Sequence, residues 1–103
     1  MSLPLVFTIA ARADIRQALD WYDRRQAGLG QRFLDDLDTL SLRISANPMQ
    51  FPTARKTIRR ASLRRFPYGL FFLVLPEAVQ IIACLHTSRD PAYGQRRHGD
   101  GNR

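Results

Sequence analysis

Ile58-Arg-Arg-Ala-Ser-Leu-Arg-Arg-Phe-Pro-Tyr-Gly-Leu-Phe-Phe-Leu-Val-Leu75 decides how the chain folds. Its first half, Ile58 to Arg65, mixes apolar and charged residues and reads, with a period near two, as a half-exposed strand. Phe66-Pro67 interrupts it. Tyr68 to Leu75 is then almost wholly apolar and rich in aromatic and branched residues, so it reads as a strand covered on both faces and central in its sheet. Pro76-Glu77 makes the next turn, and Ala78 to His86 (AVQIIACLH) is another apolar strand. With connections this short, the last three strands form an antiparallel meander.

Upstream the period changes. Ala11, Ile15, Ala18, Leu19 and Tyr22 recur at helical spacing, and Thr8 is placed to cap that helix. Gly28 and Gly30 break the pattern. Phe33, Leu37, Leu40 and Ile44, with Leu34 beside them, stripe a second helix that ends at Asn47-Pro48. A turn this short implies an antiparallel helical hairpin. Leu3 to Thr8 reads as a first strand, and Met49 to Lys56, flanked and interrupted by proline, as a loop. The expected order is β-α-α-β-β-β, an α+β fold with the hairpin on one face of a mainly antiparallel sheet. The other face and the edges are left for a partner.

At 103 residues the chain makes one domain, here residues 1–93, followed by a flexible polar tail over 94–103. A 45% hydrophobic content excludes disorder for its bulk, and no apolar run is long enough for a membrane span. The N-terminus lacks a basic region ahead of its apolar stretch, so no secretory signal is expected and the cytoplasm is the expected location. A single cysteine, Cys84, excludes an internal disulfide and a cysteine-rich zinc site. It is expected to be a small core residue.

Charge is the strongest functional signal. Sixteen basic against nine acidic residues give +7, and every base but Lys56 is arginine. Between Thr39 and Pro76 there is no acid, whereas Arg43, Arg55, Lys56, Arg59, Arg60, Arg64 and Arg65 all fall there. Such a cluster implies an acidic protein partner or a nucleic acid. Asp35, Asp36 and Asp38 read as the solvated side of a helix. Tyr22 reads as packing, and Trp21, one position off the stripe, as packing or a partner contact.

Catalytic constellations are thin. There is no phosphate-binding glycine loop, no carboxylate pair and no metal-ligand spacing. His86 and Arg89, at the end of the last strand, are the residue types that RNA cleavage uses: a proton-transfer group and a cation for the phosphorane. The simpler reading of His86 is a strand cap or the partner of a buried carbonyl. His98 falls in the tail.

A11-x-x-DI15, WY22, G28-LGQRF33, NP48 with FP52, RRASLRRFPYGLFF72 and H86-x-x-RDP91 occur in that order. Together they make the chain resemble the RelE/ParE superfamily of type II toxin–antitoxin toxins over nearly its whole length. The resemblance implies a helical hairpin against an antiparallel sheet, and an antitoxin whose C-terminal segment wraps the toxin. It also implies one of two activities. RelE-like members are ribosome-dependent endoribonucleases with an arginine just after the aromatic that opens the central strand. Here that aromatic is Tyr68, and Gly69 follows it. Arg89 and Tyr93 match a second arginine and a C-terminal tyrosine, so His86, Arg89 and Tyr93 are the catalytic candidates of an RNase acting on ribosome-bound mRNA. ParE-like members poison DNA gyrase without catalysis or a cofactor, and this side is favoured. Arg59, Arg60, Arg64, Arg65, Arg89, Arg96 and Arg97 are then candidate target contacts, chosen on charge placement. A plain nucleic-acid-binding module is a third reading, since Phe66 and Tyr68 lie beside Arg64 and Arg65, and an inactive toxin homologue a fourth.

Overall fold

Thr8 begins the architecture. Its hydroxyl accepts from the Ala11 N–H at 3.1 Å and starts α1, Ile9–Arg25, directly after the short strand β1, Leu5–Phe7. This is a computed structural model, and it describes residues 2–89. Gly28, with φ +86°, adopts the left-handed conformation that glycine tolerates and precedes α2, Leu29–Ala46. The helix ends where the sequence places its stop. Asn47 caps it, and Pro48–Gln50 forms a single 3-10 turn.

Four further strands follow: β2, Thr53–Arg55; β3, Ile58–Ser62; β4, Tyr68–Val74; and β5, Val79–His86. They join β1 in one sheet of order β1-β5-β4-β3-β2. β4 is central, as its composition demands, and β3, β4 and β5 form the expected antiparallel meander. β1 pairs parallel to β5, with Thr8 N–H donating to the Ile81 carbonyl and Val79 N–H to that of Pro4. Ser45 of α2 ties the N-terminal segment down, its hydroxyl donating to the Leu3 carbonyl at 2.6 Å.

Two expectations about the strands are corrected. The segment Met49 to Lys56 is not a loop throughout, because Thr53–Arg55 pairs antiparallel with β3 across a two-residue turn at Lys56-Thr57. Three residues are too few to show a period, and Lys56 takes a left-handed φ of 51° that no glycine advertises. The strand expected over Ile58 to Arg65 stops at Ser62, because the backbone N–H groups of Arg64 and Arg65 turn away to the carboxylate of Asp36 on α2.

The helical hairpin lies on one face of the sheet. Phe33, Leu37, Leu40 and Ile44 of α2 and Ala11, Ala18 and Tyr22 of α1 are buried there against Ala61, Leu70, Phe72, Val79, Ile81 and Cys84. Each large side chain fully buried this way stabilises by roughly 1.5–3 kcal/mol. Gly30 belongs to α2 rather than to the break before it. Its N–H donates to the Asp23 carboxylate of α1 at 3.1 Å, so the helices approach closely where it has no side chain. On the opposite face the register aligns Arg60 with Phe71, and Phe71 with Ala83. Phe71 is only 3% exposed, while Val6 is 51% exposed.

The expected tail from Gly94 lies outside the described residues. Among the described residues no helix is long and apolar enough to cross a membrane.

Candidate functional site

Arg59, Arg60, Arg64 and Arg65 do not form one stripe. Arg59 is opposite Phe72 on the helix-covered face, and its guanidinium donates to the Phe51 carbonyl at 2.5 Å. Arg60 is opposite Phe71 on the other face. Its aliphatic stem runs over Gly69, so that a Cβ added to Gly69 would meet Arg60 Cγ at 3.5 Å and the Ala61 carbonyl oxygen at 3.4 Å. Arg64 and Arg65 are exposed on the turn after β3. Arg65 N–H donates to Asp36 Oδ2 at 2.7 Å and Arg64 N–H to Oδ1 at 3.4 Å.

Among the described residues, two depressions lie beside the hairpin. One is a groove of about 480 Å³ between α2 and the β3–β4 turn, where Arg32, Arg64, Arg65, Leu29, Phe66 and Asp36 meet. Charge placement in the sequence pointed to Arg64 and Arg65, but not to Arg32, which lies in the acid-rich stretch and reaches the groove only through the tertiary fold.

The other depression, about 590 Å³, lies between α1 and the ends of β4 and β5 and is lined by Trp21, Tyr22, Tyr68, His86 and Ser88 among others. Tyr22, Phe33, Phe66 and Tyr68 form a ring cluster beneath it, with centroids 4.8–6.1 Å apart. Burial pushes the Tyr22 phenol above its ordinary value, and neighbouring Tyr68 and Cys84 add to the shift. Trp21 is 45% exposed, and the Arg25 guanidinium stacks 4.8 Å from its ring centre. Of the two aromatics singled out by sequence, Tyr22 is core and Trp21 faces solvent.

His86 stacks edge-on against Tyr68, centroids 5.2 Å apart. Its Nδ1 accepts from the Ser88 N–H at 3.1 Å and lies 3.0 Å from the Ser88 hydroxyl. The ring therefore caps the 3-10 turn Thr87–Arg89 that ends β5. In its neutral form that bond assigns the proton to Nε2. The Arg89 backbone closes the same turn. Tyr93, Arg96 and Arg97 lie outside the described residues.

Cys84 lies deeper. Its N–H donates to Asp14 Oδ2 at 3.0 Å, and burial, with Asp14 nearby, pushes its thiol up to about 12. A thiol so placed is a poor nucleophile. Among the described residues, no three His, Cys, Asp or Glu side chains converge as metal ligands.

No family model and no curated protein matches the chain. A solved chain of the chromosomal ParDE TA (toxin–antitoxin) system from P. aeruginosa does, in structure. The two superpose with a TM-score of 0.70 at 21% identity, over 82% of this chain and 96% of that one. This chain shares that protein's fold. The architecture implied by the sequence resemblance is met: a two-helix layer on one face of a mainly antiparallel sheet, with one edge strand more than the sequence announced.

Proposed function

We propose that the chain is the toxin of a type II toxin–antitoxin system, held silent by a cognate antitoxin, and that it acts in the cytoplasm on DNA gyrase. The observation that carries this is the likeness to the ParDE-system chain, which spans nearly all of that chain and most of this one. The site chemistry favours protein capture over RNA cleavage. Gly69 follows the aromatic that opens the central strand and offers no cation of its own. The space beside it is taken by the stem of Arg60. Cys84 is buried and His86 is bonded to the turn it caps.

On this reading the chain binds gyrase while DNA is cut and blocks resealing. It needs no cofactor, because gyrase supplies the covalent chemistry. Arg60, Arg64 and Arg65 are the contacts put forward within the described residues, with Arg89, Arg96 and Arg97 extending the set toward the C-terminus. Arg59 is committed to the Phe51 carbonyl and is the weakest member of the set.

Ribosome-dependent RNA cleavage is the second reading. The observation in its favour is that His86 lines the aromatic depression beside Tyr68, with Arg89 three residues on. Induced expression in growing cells separates the two. Gyrase poisoning produces double-strand breaks and a DNA-damage response before translation falls. Cleaved mRNA with intact chromosomes would sink the gyrase reading and make His86, Arg89 and Tyr93 the residues to mutate.

A further inference from the structure

The depression between α1 and the ends of β4 and β5 sets an aromatic ring between an amide and a cation. Gln17, Trp21 and Arg24 all line it from α1. At i, i+4 and i+7 they share one face of the helix, so carboxamide, indole and guanidinium stand in a row about 10 Å long. The Trp21 ring is held in place without any ligand. Arg25 stacks 4.8 Å from its centre, and Tyr22 meets it edge-on with centroids 5.0 Å apart. It is nevertheless 45% exposed. Gln17 and Arg24 are exposed too, and neither side chain has a hydrogen-bond or ionic partner among the described residues. Tyr68, His86 and Ser88 make the opposite wall. At about 590 Å³ the space suits a small molecule.

From this row we infer that the depression binds a free adenine nucleotide, with the base on Trp21 and the phosphate on Arg24. An indole face is a stacking platform for a purine. The Gln17 carboxamide offers one donor and one acceptor in a fork, the complement of adenine N7 and N6–H. Guanine presents two acceptors along that edge instead. The Arg24 guanidinium matches a phosphate, and with Arg25 beside it the site disfavours a cationic ring. His86 and Ser88, in the same depression, supply an imidazole N–H and a hydroxyl for the ribose. One unpaired guanidinium suits one terminal phosphate rather than a nucleic-acid strand, whose binding draws on several cations. The inference stands apart from both activities proposed above, because binding is measured on the chain alone.

Trp21 is the chain's single tryptophan, so its fluorescence reports this site alone. The full-length protein is titrated with AMP, exciting at the red edge of the indole band where adenine does not absorb. Backbone amide NMR shifts follow the same titration. Saturable quenching is expected, with a dissociation constant on the order of 0.1 mM or below. The largest shifts should fall on Gln17 to Arg24 and His86 to Ser88. GMP should bind about fivefold or more weakly, and Gln17→Ala should remove that preference. Arg24→Ala should weaken AMP about tenfold while leaving adenosine, which has no phosphate, within about twofold. Both positions are exposed on α1, so the fold should survive either change. R64Q/R65Q, at the other depression, should bind AMP as the wild type does. Absence of both quenching and shifts, equal binding of AMP and GMP, or unchanged AMP affinity in Arg24→Ala would each overturn the inference. So would an oligoriboadenylate that competes with AMP and binds more tightly, which would give the depression to RNA.

Discussion

At the scale of single residues, glycines show what the chain's local pattern conveys. Gly28 and Gly30 both read as helix breakers, but only Gly28 is one. Gly30 sits in the first turn of α2, where an added Cβ would collide with the Asp23 carboxylate and lie 2.7 Å from Leu19 Cδ1. That demand comes from the opposing helix, so no local pattern could announce it. Gly30→Ala should therefore destabilise the fold by about 1–3 kcal/mol by overpacking, seen as a lower denaturant midpoint. Unchanged stability would mean that the helices part at no cost. Gly69, by contrast, was legible, because its position after Tyr68 is fixed by the strand start.

Cys84 gives a prediction in pH. Its thiol ionises near its ordinary 9.0 in the unfolded chain and at about 12 in the folded one. Between those values the unfolded state has lost a proton that the native state keeps. Stability due to this group is thus whole below 9.0 and falls as pH rises toward about 12, by roughly 1.4 kcal/mol per pH unit. Cys84→Ala should flatten the alkaline limb of a stability–pH curve. A thiol reagent at mildly alkaline pH should react only after denaturant is added. Prompt reaction in the native protein, or parallel alkaline limbs in the two proteins, would show the thiol to be accessible.

At the scale of elements, the longer periodic ones were legible. Both helices and the apolar strands β4 and β5 follow from spacing and from Thr8, Asn47 and the prolines. The three-residue β2 was not, and the end of β3 was not, because Asp36 on α2 decides it. Asp36→Ala should therefore release the turn without unfolding the sheet. Amide exchange at Arg64 and Arg65 should speed up by about tenfold, consistent with loss of a charge-assisted bond of about 1.5–3 kcal/mol. Exchange in β4 should be unmoved. Equal protection of the turn in the variant would remove Asp36 from its account. The split of the arginines also belongs to this scale. Arg59→Ala removes the bond to Phe51 and should lower stability by about 1 kcal/mol, whereas Arg60→Ala should weaken gyrase trapping. A reversed outcome, with Arg59→Ala as stable as wild type and Arg60→Ala fully active, would contradict the division of roles.

At the scale of the whole molecule, the chain's two halves meet through β1. It leaves the hairpin's start to pair parallel with β5, so the first and last described segments close one side of the sheet. The acid-rich hairpin and the base-rich strands therefore lie against each other, and their charges meet in the groove of Arg32, Arg64 and Arg65. Composition showed the surplus of +7; where it gathers depended on that packing. The candidate site was thus legible in part: Arg64, Arg65, Trp21 and His86 by position, Arg32 only by fold.

The central claim concerns what this surface captures. Purified chain is incubated with gyrase and supercoiled plasmid, with and without ATP, and the DNA is examined after denaturing the enzyme. Gyrase-dependent accumulation of linear plasmid is the predicted result, relieved by the antitoxin. No trapped cleavage, with the chain folded and gyrase fully active in the controls, would contradict it.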